Sequence, residues 1–238
     1  MTFDAFKGLV NISNEDIWRD FYRQNKDKIK VKKEDVAVRN LVKISSAALS
    51  ISNRKGFSLM TLRDLSVESG LSMGALYSYF SSKDELLDMI QQQRMTAIIK
   101  VFSTHLSGID NPAQRLRSAI QIHLYLSEVM QPWFYFSYME AKNLGKDDRK
   151  KAIEAEIFTE GIFIDIIEQG QKKSLFRNVD PKTTAAIIKA MLQDWYLKRW
   201  KYESRNVSVE EYSEVVIDFV ESYLMARNNQ TQEEKGWT

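Results

Sequence analysis

The chain contains no cysteine, and it has only three prolines and nine glycines in 238 residues. The absence of cysteine excludes disulfide bonds and thiolate chemistry. So few glycines and prolines disfavour a fold rich in strands and turns, and also a glycine-rich nucleotide-binding loop. There is no signal-peptide pattern and no long uncharged apolar run. We therefore expect a soluble cytoplasmic protein that does not enter a membrane.

Patterns of catalytic and metal-binding residues are missing as well. The only histidines are His105 and His123, and no E-x-x-H pair is present for a di-iron centre. Neither a G-x-x-x-x-G-K-[ST] loop nor a G-x-G-x-x-G loop occurs. The acidic residues Glu154, Glu156, Glu160 and Asp165 of the C-terminal half have the spacings typical of solvated helix faces. We predict no catalytic residue, no metal and no cofactor, and an enzyme ranks third among the possible functions.

The composition suits a helical protein of two domains. Hydrophobic residues make up 44% of the chain, which supplies a sizeable core, and no strongly alternating strand pattern stands out. The formal net charge is only +2. A globally basic nucleic-acid binder is therefore not indicated, and any contact with nucleic acid must come from local placement of charge.

Residues 57–87 predict a helix, a tight turn, a second helix and the capped start of a third. The hydroxyl of Thr61 can cap a helix that begins near Leu62. Gly70 follows the last turn of that helix, where a left-handed backbone favours glycine. Ser72 can then cap a second helix from about Met73 to Tyr79.

The second helix of this pair has one face for the core and one face left open. Leu76 and Phe80 are four residues apart and are predicted to point inward. The open face carries Met73, Gly74, Ala75, Tyr77, Ser78 and Tyr79. Its small residues suit close approach to a groove, and its hydroxyl groups can donate to phosphate. Ser82 and Glu85 predict a capping box for the third helix, and Lys83 in its first turn is a candidate phosphate clamp.

The run from Leu41 to Leu87 resembles the DNA-binding domain of the TetR family of bacterial transcriptional regulators. The residues that carry the resemblance are Ala47, Ala48, Gly56, Phe57, Thr61, Leu65, Gly70, Leu71, Ser72, Leu76, Tyr77, Ser78, Tyr79, Phe80 and Lys83. The resemblance implies a homodimer whose small N-terminal domain binds an operator half-site in double-stranded DNA. It also implies a larger C-terminal domain that dimerises and holds a small-molecule effector.

The resemblance also implies roles for single residues of the pair. Positions that usually touch the DNA backbone are Thr61, Ser72, Ala75, Tyr77 and Lys83, and positions that can read base edges are Arg63, Met73 and Tyr79. Met73 departs from the family pattern because it is apolar. It cannot form a bidentate hydrogen-bond pair with a base, so it could read only a thymine methyl or the local shape of the groove. Two plainer interpretations stay open: Tyr77 and Tyr79 could be packing aromatics, and Arg63 could be a solvated surface residue.

We expect four segments: an N-terminal extension with a basic arm (1–35), a helix-turn-helix domain (36–82), a helical effector-binding and dimerisation domain (83–227) and a polar tail (228–238). Trp18, Phe21 and Tyr22 in the extension have the spacing of a helix face that docks on the main body. The lysines between positions 26 and 33 could form a DNA-binding arm or a solvated linker.

Caps and breakers divide the C-terminal half into further helices. Asn111 with Pro112 and Asp180 with Pro181 are start signals, and Ser208 with Glu211 predicts another capping box. Helices are expected over about 83–106, 112–130, 132–145, 147–169, 181–202 and 209–227. The helices near 181–202 and 209–225 are the candidates for the homodimer interface, because they carry apolar stripes and occupy the positions that the family layout implies.

An effector cavity is predicted from aromatic side chains that bear occasional polar tips. The aromatic run 133–136 is too broad for a surface helix. The candidate lining residues are His123, Tyr125, Trp133, Tyr135, Tyr138, Met139, Glu140, Phe163, Gln193, Trp195 and Tyr196. Ordinary core packing explains most of these residues equally well.

Taken together, the sequence predicts an all-α, ligand-responsive transcriptional regulator, most simply a repressor, that binds a palindromic operator as a homodimer. A small hydrophobic effector, aromatic or fatty-acyl in character, would tilt the helix from Lys83 to Leu106 and change the separation of the two DNA-reading helices. The alternative is a helical ligand-binding or protein-interaction module that no longer reads DNA.

Overall fold

The computed structural model describes residues 1–9, 14–140 and 146–225, and within these ranges the chain is built from helices without a β-strand ladder. The all-α prediction is confirmed. The helices are α1 (Phe3–Leu9), α2 (Asn14–Gln24), α3 (Glu34–Lys55), α4 (Leu62–Ser69), α5 (Met73–Leu76), α6 (Lys83–Leu106), α7 (Pro112–Val129), α8 (Gln131–Glu140), α9 (Lys146–Lys172), α10 (Pro181–Leu197), α11 (Arg199–Glu203) and α12 (Val209–Leu224). The predicted polar tail and the predicted helix ends near Gly145 and Arg227 lie outside the described ranges.

Helices α3, α4 and α5 form a small unit at one end of the molecule, which we call the head. Thr61 caps α4 through a reciprocal capping box with Asp64, and Gly70 ends α4 in the left-handed conformation with φ of 68°. Ion pairs tie α4 to α3, with 2.7 Å between Lys55 Nζ and Asp64 Oδ2 and 3.0 Å between Arg54 and Glu68. These ion pairs join α3 to α4 within the head.

The start of α6 differs in one detail from the predicted capping box. The Ser82 hydroxyl accepts from the Glu85 amide at 3.1 Å, as predicted. The Glu85 carboxylate instead accepts from the amide and hydroxyl of Ser81, at 2.6 and 2.7 Å. The reciprocal half of the box is therefore shifted by one residue toward the N-terminus.

The N-terminal extension contains two helices that dock on different parts of the molecule. Helix α2 packs against α3 and α6 and buries Trp18, Phe21 and Tyr22, which confirms the predicted docking face. Helix α1 packs on α7, where the Tyr125 hydroxyl donates to the carbonyl oxygen of Met1 at 3.0 Å. The extension thus contacts both the head and the helices beyond it.

The lysine-bearing segment 26–33 is attached to the molecule, so it is neither a flexible arm nor a free linker, and contact of its lysines with DNA stays a prediction. Ile29 is buried, and the Tyr22 hydroxyl donates to the carbonyls of Val31 and Lys32 at 3.0 Å each. The Lys30 amide donates to the Ser78 carbonyl at 2.9 Å. The Tyr22 hydroxyl ties this segment to α2, and the bond to Ser78 ties it to the head.

The remaining helices, α6–α12, form the larger unit that we call the body. Helix α7 lies at its centre and packs against α6, α9, α10 and α12. The predicted 181–202 helix is divided at Lys198 into α10 and α11. No helix in the described part of the chain is both long enough and apolar enough to cross a membrane.

Candidate nucleic-acid interface and ligand cavity

The short helix α5 presents a continuous open face on the outside of the head. The Ser72 hydroxyl accepts from the Ala75 amide at 3.2 Å and fixes the first turn, while Leu76 is fully buried beneath it. On the opposite side Met73 and Gly74 are exposed, and Tyr77 exposes 45% of its surface. An outward helix with small residues at its start and a phenol at its end has the shape and the donors to enter a DNA groove.

Helix α4 packs against α5, and its start adds two exposed residues to the head. Thr61 and Arg63 are both exposed. The Thr61 hydroxyl is already engaged, because it donates to Asp64 Oδ2 at 2.6 Å and accepts from the Asp64 amide. Ala75 and Ser78 are half-buried at the edge of the α5 face. Eight of the ten predicted DNA-contact residues are therefore exposed or half-buried in the head.

Tyr79 does not belong to that surface, which contradicts its prediction as a base-reading residue. It exposes only 3% of its surface, and its hydroxyl accepts from Asn40 Nδ2 at 2.8 Å. Burial raises the pKa of the Tyr79 phenol. The physical reason is helical spacing: Tyr79 lies three residues after the buried Leu76 and shares its inward side.

Lys83 also has a different role from the predicted phosphate clamp. Its ammonium group donates to the carbonyl oxygens of Phe57, Ser58 and Met60 at 2.8, 2.9 and 3.1 Å. It lies 4.9 Å from the centre of the Phe57 ring. These partners are more than twenty residues earlier in the chain, so spacing around Lys83 could not reveal them. Lys83 holds the turn that leads into α4.

We expect Lys83→Met to destabilise the head by about 1.5–3 kcal/mol, because three carbonyls lose hydrogen bonds from a charged donor. Lys43→Met, at an exposed position of α3, is the matched control and should change stability little. Urea unfolding of both variants measures the difference. Unchanged stability of Lys83→Met together with weaker DNA binding would restore the phosphate-clamp interpretation.

A cavity of about 460 Å³ opens within the body between α7, α8, α9 and α10. Five of the predicted effector residues line it: His123, Trp133, Tyr138, Gln193 and Tyr196. Ile98 of α6 also lines the cavity, so the helix that begins at the head contacts this space directly. An apolar aromatic wall with a few polar groups is typical of small-molecule sites.

The polar end of this cavity is built around a buried lysine. Lys189 Nζ lies 2.7 Å from Thr159 Oγ1, 3.0 Å from His123 Nε2 and 3.4 Å from Glu156 Oε2. Gln193 Nε2 donates to Glu156 Oε1 at 2.8 Å. Burial lowers the pKa of Lys189, and burial together with the nearby ammonium holds the pKa of His123 well below its usual range. His123 is therefore neutral and accepts from the ammonium through Nε2.

Sequence reasoning misses part of this polar cluster. It does not single out Lys189 or Thr159, and it assigns Glu156 to a solvated face, although this residue lines the cavity. A signal is available in α10, where Lys189 and Gln193 stand four residues apart on one face of an otherwise apolar helix. Polar residues at that spacing between apolar neighbours indicate an internal polar site.

The other predicted effector residues do not line the cavity. Tyr125, Phe163 and Trp195 are fully buried in the core, because they face neighbouring helices rather than the cavity. Trp195 packs between Tyr202 and Tyr212, about one third of a helical turn from Tyr196. Tyr135 is not among the lining residues, Met139 is exposed, and the side chain of Glu140 lies outside the described part of the structure.

Two family models match the chain, one on each unit. The family described as "Bacterial regulatory proteins, tetR family" matches residues 44–90, which include the second half of α3, all of α4 and α5, and the start of α6. The family described as "Tetracyclin repressor-like, C-terminal domain" matches residues 110–223, which span α7 to α12. The two matches together cover most of the chain.

Individual proteins show the same similarity. The transcriptional regulator HbdR of Aromatoleum sp. (strain CIB) is 23% identical over 184 residues, which are 77% of this chain and 80% of HbdR. The TetR family regulator PfmR of Thermus thermophilus superposes with a TM-score of 0.65 at 26% identity, covering 77% of this chain and 99% of PfmR. AibR, solved in complex with isovaleryl coenzyme A and operator DNA, has a TM-score of 0.65 at 18% identity and coverages of 77% and 97%.

Proposed function

Because this chain belongs to the TetR family of bacterial transcriptional regulators, and is thus a DNA-binding regulator that responds to an effector, we propose that it is a repressor. It binds a palindromic operator as a homodimer, in the cytoplasm, and an effector in the body releases it. The family consists of regulators rather than enzymes. The observation that carries the proposal is the outward face of α5. Met73, Gly74 and Tyr77 are exposed there, while Leu76 on the opposite side is buried.

The homodimer is supported by apolar surface that a single chain leaves uncovered. Helix α12 exposes Val215, Phe219 and Tyr223 at four-residue spacing, and α10 exposes Ile187. A stripe of this kind on two neighbouring helices matches the self-complementary interface of a four-helix bundle with two-fold symmetry. The two reading helices would then stand about 34–36 Å apart, which is one turn of DNA.

The effector cavity in the body supports the regulatory part of the proposal. Its aromatic wall suits an apolar ligand, and a carbonyl at the polar end of the ligand would replace Glu156, at 3.4 Å, as a partner of the Lys189 ammonium. A ligand that displaced Ile98 of α6 would move the helix that begins at the head. A coupling of about 1–3 kcal/mol between the sites would change operator affinity by about 5- to 150-fold. Isovaleryl coenzyme A in AibR makes acyl-coenzyme A thioesters the first ligands to test.

Selection of DNA from a random duplex library, followed by gel shift of the selected sequence, tests the proposal. We expect selected sequences with two inverted half-sites, and retention that weakens steeply as salt rises, because phosphate contacts release counterions. If the protein does not distinguish selected from random duplex at moderate salt, the chain is instead a helical ligand-binding module, and the DNA part of the proposal fails.

We expect Lys189→Met to reduce effector-induced release from the operator by at least about tenfold, since removal of the buried ammonium eliminates a charged hydrogen-bond donor. Operator affinity without effector should stay within about threefold. Lys182→Met, at an exposed position of α10, is the control for the same substitution on the same helix. The measurement is gel shift titrated with acyl-coenzyme A thioesters from isovaleryl to stearoyl. An unaltered response of Lys189→Met would show that the effector does not use this polar end.

A further inference from the structure

A second cavity, of about 580 Å³, lies where the head meets the body. It is lined by residues of α3 on one side and by residues of α6, α7 and α8 on the other, and Ile17 of α2 also lines it. Trp133 is the one residue that lines both this cavity and the effector cavity. At its rim the Asn53 amide of α3 donates to the carbonyl of Pro132 in α8 at 2.8 Å. We call this space the junction cavity.

Most of the junction cavity wall is aliphatic, but it contains one buried charge. The aliphatic residues are Ile17, Leu49, Ala97, Val101, Leu126, Val129, Met130 and Pro132. Arg94 of α6 also lines the cavity, and its residue surface is only 6% exposed. Its Nε is buried without a hydrogen-bond partner.

Nothing in the described chain neutralises Arg94. The described residues give its guanidinium no ion pair, and the residues that line the junction cavity include no aspartate or glutamate. The other polar lining residues are neutral: Ser46, Ser50, Asn53 and Gln131. Arg199, a half-buried arginine of the body, differs in this respect, since it pairs with Glu128 at 3.0 Å.

An unpaired buried guanidinium is energetically unfavourable, because moving a charge out of water costs several kcal/mol unless a partner compensates it. Burial lowers the pKa of Arg94 to about 10, which still leaves the group charged at neutral pH. A cavity that is aliphatic along its walls and positively charged at one point has the recognition elements for an apolar chain that ends in an anion. A carboxylate could accept two parallel hydrogen bonds from the guanidinium.

We propose that the junction cavity is a second ligand site, distinct from the effector cavity, that binds an aliphatic carboxylate with its anionic end on Arg94. The ligand would contact α3 of the head and α6–α8 of the body at the same time. This site does not depend on the identity of the effector or on DNA binding, so its failure and the failure of the proposed regulator function are separable.

Octanoate and 1-octanol are a matched pair of probes, because they have the same chain and differ in the charge of the end group. Isothermal titration of the full-length protein should give binding of octanoate at least about tenfold tighter than binding of 1-octanol. Arg94→Met should weaken the binding of octanoate by about 10- to 100-fold and leave the affinity for 1-octanol unchanged. Arg94→Lys, which keeps the charge, should retain much of the preference. Equal binding of the two probes by the wild-type protein would overturn the proposal.

Two further measurements separate a ligand site from a structural role and from the other cavity. Without ligand, Arg94→Met should unfold at the same temperature as the wild-type protein or higher, because it removes an uncompensated charge; a clear loss of stability would contradict the proposal. Lys189→Met, in the effector cavity, should keep the octanoate preference within about twofold. If Lys189→Met loses the preference and Arg94→Met keeps it, octanoate binds in the effector cavity and the junction site is refuted.

Discussion

Phe219→Glu is expected to convert the homodimer to a monomer and to weaken operator binding by more than about 100-fold. Phe219 exposes 68% of its surface in the single chain and lies at the middle of the apolar stripe on α12. In a two-fold interface each substitution occurs twice, so two carboxylates would be buried without partners, at a cost of several kcal/mol each. A monomer would hold only one reading helix against the operator.

Light scattering after gel filtration measures the oligomeric state, and gel shift measures the operator affinity. Ile157→Glu is the matched control, because Ile157 is similarly exposed but lies on α9, outside the proposed interface. It should leave both quantities unchanged. A Phe219→Glu protein that remains a dimer would place the interface elsewhere.

Gly74→Glu is expected to abolish specific DNA binding, with a loss of at least about 100-fold, while the fold and the dimer persist. Apart from its chain neighbours and its own helix backbone, no atom lies within 4 Å of a Cβ built on Gly74, so the side chain fits the free protein. The same side chain would bring a negative charge against the phosphates where α5 approaches the duplex, and it would remove the close approach that glycine permits.

Gly161→Glu gives the control, since Gly161 is also a helical glycine with open space at the Cβ position, but it lies on α9 in the body. Circular dichroism and gel filtration should be indistinguishable for the two variants, and gel shift should separate them. Normal operator binding by Gly74→Glu would mean that α5 does not enter the groove.

Local signals of the sequence are sufficient to predict the head. Thr61, Gly70 and Ser72 act on backbone groups within a few residues of themselves, and all three have the predicted roles. Tyr79 and Lys83 cannot be assigned in this way. Their partners, Asn40 and the carbonyls of residues 57–60, are remote in sequence and come together only when the head has packed.

The effector cavity is predicted less completely, for a related reason. Aromatic residues indicate a broad apolar region, but the choice between cavity wall and core depends on which neighbouring helix each side chain faces. Tyr196 lines the cavity and the adjacent Trp195 does not. The buried cluster around Lys189 combines side chains from α7, α9 and α10. Because these helices are far apart in the sequence, no single segment of the sequence reveals the cluster.

The N-terminal extension shows the same limit of local reasoning. Its aromatic spacing correctly predicts a docking face, but the lysine-rich composition of 26–33 suggests an unattached segment. The attachment depends on Ile29 and on one backbone hydrogen bond to Ser78 at the end of the α5 turn. As a result, the exposed Lys30 lies next to Ser78 at the edge of the candidate DNA surface rather than on a flexible arm.

Hydroxyl-radical footprinting of the protein on its selected operator tests the central claim most directly. The claim is that α5 faces outward on each of two chains and that the dimer holds the two copies at the spacing of the DNA helix. The expected result is two protected tracts related by a dyad, with centres about 10–10.5 base pairs apart on one face of the duplex. A single protected tract, or protection without dyad symmetry, would contradict the account.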